Sequence, residues 1–248
     1  MEQAGSDIAH MRAVTISREY GSGGGEIAQR LAARLGWQLV DHEVVARVAR
    51  ELGMSQDEAA EQDERAESFV ARLLNNLQVI EPNVLINPPL AHPHDVQAYH
   101  AAVCRVVEAA AEEGRVVIVG RAGQFVLRQH RDVLHVRVVA PLAQRIQYVA
   151  RRERLDEAGA RARIQDKETN RARYVQTFYR SRTDDPHLYD LVVNTAILSL
   201  DDAVALIAQA LGLKAARLGL PPAQLGPGAG LAPYPARPED FPLSPEPR

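Results

Sequence analysis

The chain has 248 residues, 46% hydrophobic and 25% charged, which suits one sizeable apolar core and excludes a mainly disordered or fibrous protein. With 29 Lys plus Arg against 32 Asp plus Glu, the net charge of −3 gives no whole-molecule attraction to nucleic acid or anionic membrane, so a polyanion must be gripped locally. The single cysteine, Cys104, excludes an internal disulfide framework and a Cys-built zinc site.

Taken in chain order, residues 1–11 are polar and unpatterned and read as a loose leader, in which Met11 could itself be the start. They carry no basic-then-apolar signal. The longest purely apolar runs, such as Val116 to Val119, fall far below the roughly 20 residues of a membrane helix, so the expected location is cytoplasmic. From Arg12 onward, short β-branched runs alternate with longer segments of helical spacing. Strands are expected at Ala13–Ser17, Gln38–Val40, Arg115–Val119, Leu134–Val139 and Leu191–Asn194. Helices are expected at Glu26–Leu35, Glu43–Leu52, Val96–Glu113, Leu142–Arg154 and Asp201–Leu211. Parallel neighbours need a crossover, usually helical, so this order predicts an α/β three-layer sandwich around a five-stranded parallel sheet over residues 12–212. Residues of about 55–94 break the alternation and read as a helical insertion. The tail, residues 213–248, holds nine of the fifteen prolines and little apolar period; disorder is expected from about Pro221.

The first strand runs directly into Ser17-Arg18-Glu19-Tyr20-Gly21-Ser22-Gly23-Gly24-Gly25-Glu26 before a helix starts. Glycines at a strand-to-helix turn let backbone amides converge, and the helix N-terminus adds partial positive charge, so the loop from Gly21 through Ser22, Gly23, Gly24 and Gly25 to Glu26 is a phosphate cradle. A merely flexible loop is the plainer reading. The usual pattern GxxxxGK[ST] is not met. With Gly23 at its last glycine, Arg18 stands at the first glycine, Gly24 at the lysine and Gly25 at the hydroxyl. The only lysines are Lys167 and Lys214, so cationic help must come from Arg18 and later arginines.

The run Ile16 to Ala28, with Leu31 to Gly36 and Val40-Asp41, resembles the cytidylate kinase-like family, a divergent branch of the nucleoside monophosphate kinases. The similarity continues through Val119-Gly120-Arg121-Ala122-Gly123, Asn170 to Tyr174 and Asp185 to Thr195, and covers about Arg12 to Leu211. The resemblance implies a P-loop fold, ATP and Mg2+, and transfer of the ATP γ-phosphoryl to a nucleoside monophosphate, CMP or dCMP first. It further implies acceptor contacts from Asp41, from Arg47 six residues later, and from Arg121 in its Gly-Arg pair. Ala122 stands where the ordinary enzymes usually carry an acid, which bears on selectivity for cytosine. Gly25 stands where the family commonly carries a larger, basic side chain. Glu26 matches the family and could bind the waters of a phosphate-bound magnesium, or serve only as a first-turn acid. Without the resemblance, Asp41 could simply cap the next helix and Arg121 pair with a nearby acid. Position still argues for a site, because Ser17, Asp41 and Gly120 all fall at carboxyl ends of predicted strands.

Between Arg145 and Arg182 lie eleven basic residues. Phosphoryl transfer asks a protein for positioning and cationic stabilisation, and planar arginine donors supply both. Asp156 to Ala160 could be the turn of a helical-hairpin lid spanning about 145–173. Most of these side chains keep a helix in water, paired with acids such as Glu153 or Glu168. The catalytic candidates are Arg18, Arg151, Arg152 and Arg171, the last because Asn170-Arg171-Ala172 resembles the acceptor and transition-state segment of cytidylate kinases; Arg173 is a further substrate-binding candidate. Nucleic-acid binding is an alternative use of the charges, with Tyr148, Tyr174, Phe178 and Tyr179 nearby, but acids are mixed throughout. Cys104 falls in an apolar helix pattern and is expected to be buried, and no histidine pair has metal spacing. Two other functions remain open: a nucleotide-binding regulatory module with little turnover, and a kinase for another small metabolite.

Overall fold

The computed structural model describes residues 8–41, 96–227 and 229. The expected helix Glu43–Leu52, Arg47, the insertion and the last part of the tail lie outside the described residues.

Strands β1 (Ala13–Arg18), β2 (Gln38–Val40), β3 (Val116–Val119), β4 (Val133–Val139) and β5 (Leu191–Asn194) form one parallel sheet in the order β2-β3-β1-β4-β5. β1 lies at its centre, Ala13 beside Val116 on one side and Val133 on the other. Strands covered on both faces must be apolar on both faces, and this is why they appear in the sequence as continuous β-branched runs. Helices α1 (Gly24–Leu35) and α6 (Leu200–Ala215) cover one face, packing Ile27, Leu31, Ile207 and Leu211 on Val14, Ile16, Val136 and Val138. Helix α2 (Val96–Glu113) and the short α3 (Gly123–Val126) cover the other, where Val103, Val106 and Val107 meet Ala13, Val116 and Ile118. Each such side chain removed from water contributes about 1.5–3 kcal/mol. The three-layer α/β expectation is therefore met.

Local signals set the element ends, with some differences from the sequence reading. α1 starts two residues early, at Gly24, and α6 at Leu200, where Ser199 and Asp202 close a reciprocal capping box. The paired helices α4 (Leu142–Glu153) and α5 (Glu157–Tyr179) turn at Arg154 to Asp156, not across Asp156 to Ala160. Asp156 accepts from the Gly159 N–H and caps α5, which places Gly159 and Ala160 inside the helix. Met11, assigned above to the leader, is 1% exposed and belongs to the core, with Ile8 packed against the same cluster. In the tail, α6 extends to Ala215, Leu218 packs on the core, and a single 3-10 turn spans Pro222–Gln224. No helix among the described residues is long and apolar enough to cross a membrane.

Two polar residues interrupt the apolar β4. His135 and Arg137 share the face opposite Val136 and Val138, in register with Thr15 and Ser17 of β1. His135 is buried, hydrogen-bonded through Nδ1 to Thr15 Oγ1 at 2.7 Å, and burial pushes its pKa down to about 4. Between pH 6.5 and about 4 the unfolded chain takes up this proton and the folded chain does not. Stability therefore falls with pH through that window, by about 3 kcal/mol in all. Thermal unfolding of the natural protein and His135→Gln should converge as pH is lowered from 7 to 4; a constant gap would contradict the buried neutral ring.

Candidate functional site

The carboxyl ends of β1, β2 and β3 and the middle of α5 meet at one place. After β1 the chain turns through Gly21 and Gly23, both left-handed with φ of 85° and 79°, and enters α1. Gly23 is the N-cap and has no side chain to accept from the first amides of α1, so those donors and the helix dipole face outward. The loop is held from behind. Ser22 is buried, its hydroxyl donating to Glu19 O at 2.9 Å and Val138 O at 3.2 Å, and its N–H donating to Glu19 O at 3.3 Å. The Ser22 hydroxyl therefore anchors the loop to β4.

Arg145 performs the other half of the anchoring. It is 7% exposed, donates to Ala140 O at 2.9 Å, Tyr20 O at 3.3 Å and Glu168 Oε1 at 2.6 Å, and lies 3.5 Å from Glu19. This one guanidinium ties the loop, the end of β4 and α5 together. Burial, followed by a hydrogen bond to Glu153, raises the Tyr20 phenol above its ordinary value.

Past β3 the backbone takes three consecutive left-handed residues, Gly120 (φ 71°), Arg121 (φ 54°) and Ala122 (φ 54°). Such conformations cost of order 1 kcal/mol each for residues with a Cβ, and they concentrate where a side chain must be aimed. Here Arg121 is turned to a cavity of about 240 Å³ that it shares with Ser17, Arg18, Ala122, Arg171 and Tyr174. Arg171 reaches from α5 to donate Nη1 to Arg18 O at 2.5 Å. Burial lowers the Arg171 pKa, Glu168 opposes, and Arg137 lowers it further. Arg18 is affected most: burial, then the Arg171 and Arg121 charges, push it down to about 9, with Asp41 opposing. It remains a cation at neutral pH. Like charges gathered this closely raise the free energy of the empty site, and an anion between them reverses the sign.

Arg18 and Arg171 also border a second, open cavity of about 680 Å³, lined by Arg137, Arg173 and Arg182 among others. Arg137 donates to Ser17 Oγ at 3.4 Å and stacks 5.7 Å over the Tyr189 ring, whose hydroxyl donates to Thr183 O at 2.7 Å. Arg137 and Thr183 escaped the sequence reading, which placed Ser17 at the site by position alone and gave Tyr189 no role. The available signal was Arg137 itself, a charge inside a strand that otherwise reads as buried on both faces.

Glu26, in the first turn of α1, is paired with Arg152 and with Tyr148, whose phenol is pushed up to about 12 by burial and the Glu26 carboxylate. The structure thus joins two expected site residues, Glu26 and Arg152, directly across the loop. Arg151 sits on the exposed side of α4, with no ion pair among the described residues. Arg173 is exposed at the rim of the larger cavity. Asp41 lies near enough to favour the charged form of Arg18, and Arg47 falls outside the described residues. Cys104, expected to be buried, is mostly but not fully so, with its thiol 3.6 Å from His100 Nε2 and 3.7 Å from Tyr179 Oη; burial raises its pKa, which keeps it an unreactive thiol. No group of three or more His, Cys, Asp or Glu among the described residues is arranged to hold a metal alone.

Known proteins resemble this chain in sequence and in fold. A cytidylate kinase from Methanopyrus kandleri is 35% identical over 106 residues, 40% of this chain and 55% of the relative. A cytidylate kinase from Ignicoccus hospitalis is 27% identical over 198 residues, 79% of this chain and 97% of the relative. The chain therefore spans about half the length of the first relative and nearly all of the second. A solved structure of a protein from Eubacterium ventriosum superposes with a TM-score of 0.57 at 20% identity, over 80% of this chain and 97% of that one, and shares the fold. Residues 13–197, from the start of β1 to just past β5, match the sequence profile of one family, and the chain belongs to the cytidylate kinase-like family.

Proposed function

We propose that this protein is an ATP-dependent phosphotransferase that moves the γ-phosphoryl of magnesium-bound ATP to a nucleoside monophosphate, with CMP or dCMP the first choice. The observation that carries the reading is the meeting of Arg18, Arg121 and Arg171 at one cavity beside the carboxyl ends of β1 and β3. Three converging guanidiniums are costly unless a multiply charged anion is the guest, and an acceptor phosphate with an incoming phosphoryl is such a guest.

In this reading the amides from Gly21 to Glu26 hold the donor phosphates. Arg121 and Asp41 hold the acceptor, joined by Arg47 if it follows the family. An acceptor phosphate oxygen attacks the γ-phosphorus, the bond to the β–γ bridging oxygen breaks, and ADP leaves with that oxygen. No general base is needed, since the acceptor is already an anion. Arg171 and Arg18 stabilise the charge spread over the equatorial oxygens, and Arg152 joins them on exchanging Glu26 for phosphate. Glu26, released from Arg152, would hold the waters of a magnesium ion, which would supply charge neutralisation at the donor phosphates.

A second reading, a nucleotide-binding module with little turnover, has one observation in its favour: Gly24 and Gly25 supply neither the ammonium nor the hydroxyl of the usual loop. One assay separates the two. Purified protein with MgATP and a panel of monophosphates and small metabolites should consume ATP fastest with CMP or dCMP. Tight ATP binding with no turnover on any acceptor would reject the phosphotransferase, and preference for a non-nucleotide acceptor would reassign it.

A further inference from the structure

Gly24 stands where the phosphate-loop pattern carries lysine, yet its backbone makes no demand for glycine: it is an ordinary helical residue at the start of α1. A neighbour excludes the side chain. A Cβ at position 24 would stand 2.7 Å from the Cβ of Arg18 and 3.1 Å from its Cγ, well inside carbon–carbon contact. The next position is unlike it, since a Cβ on Gly25 meets nothing within 4 Å. At the far end of the same side chain, a Cβ on Gly120 would overlap Arg18 Nη1. Arg18 thus runs between two glycines, with Gly24 clearing its stem and Gly120 its tip.

In the usual pattern the arrangement is reversed, with glycine at the place of Arg18 and lysine at the place of Gly24. We infer that Arg18 and Gly24 are a reciprocal pair, in which the stem of Arg18 fills the volume a lysine at 24 would need. The loop's long cation is then delivered from β1 to the side of Arg121 and Asp41, instead of from α1 to the donor phosphates. Its catalytic meaning rests on the phosphotransfer reading above, but the steric coupling does not. Adding the lysine alone does not repair the loop; it must be accompanied by loss of the Arg18 side chain.

The test uses the full chain, first without ligand. Gly24→Ala should lower Tm by about 5 °C in the natural background and leave it unchanged or higher in Arg18→Gly, because overpacking is removed with its partner. Equal shifts in both backgrounds would overturn the pair. Should Arg18→Gly fail to fold, the natural background still decides: Gly25→Ala should be neutral or stabilising where Gly24→Ala is not, and equal losses overturn the inference. By calorimetry, Gly24→Lys with Arg18→Gly should bind MgATP about tenfold more tightly than Gly24→Lys alone, a difference of about 1.4 kcal/mol; equal affinities count against it. Thermal coupling without turnover on any acceptor would sink the phosphotransfer reading and leave the reciprocal pair standing.

Discussion

Arg171→Ala should lower kcat with MgATP and a nucleoside monophosphate by about a hundredfold or more, the loss usual when one preorganised donor to a developing charge is removed. The side chain lies between Arg18 and Arg137, holds Arg18 O at 2.5 Å, and lines both cavities. Because its pKa is lowered first by burial and it sits among other cations, it contributes little to the stability of the empty protein. The Tm of Arg171→Ala should therefore stay within a few degrees of the natural value, or rise. Arg171→Lys should recover only part of the activity, since an ammonium keeps the charge and loses the planar fork. A variant that loses Tm and keeps kcat would show Arg171 to be a strut for Arg18 and not a contact to the transferring group.

Gly21→Ala is expected to cost about 3 kcal/mol and about 10 °C of Tm, and to abolish measurable ATP binding. Two causes add. The residue sits at φ 85°, which any Cβ disfavours, and that Cβ would stand 2.9 Å from both Arg145 O and Val149 Cγ2. The carbonyl is backbone within α4 and cannot rotate aside, so either the loop or the helix must move. Since Arg145 also holds Glu19, Tyr20 and Glu168, displacement there spreads to α5 and the Arg171 side of the site. Differential scanning calorimetry and nucleotide titration of the variant check both parts; an unchanged Tm would mean that the loop yields to the side chain without strain.

The sheet was legible because its three inner strands, β1, β3 and β4, are covered on both faces. Continuous β-branched runs such as Val116–Val119 carry that condition in their composition, and the glycine loop announces itself by spacing. The same rule applied to Val133–Val139 also marks His135 and Arg137 as exceptions, one a neutral imidazole in the core and the other a site residue. The hairpin turn was misplaced because Gly159 looks like a loop residue until Asp156 is seen capping the helix over it. Met11 looked like leader because two flanking apolar residues make no period, although they suffice to seal the edge of a core built by α6.

Composition, period and spacing determined the fold class, the order of elements and the position of the glycine loop, since each depends on neighbours within a few residues of chain. Which arginines belong together was decided only in three dimensions. Arg18, Arg121 and Arg171 are separated by more than a hundred and fifty residues at the extremes, and although each stands in a recognisable local run, nothing local shows that the three meet while Arg151 lies on an exposed helix face. Their convergence follows from strand order and from where α5 crosses the sheet. So does the opposite fate of Arg145, whose charge is spent on Glu19 and Glu168: side-chain function here depends on tertiary distance, and charge interactions fall off over ångströms of space, not positions in the chain.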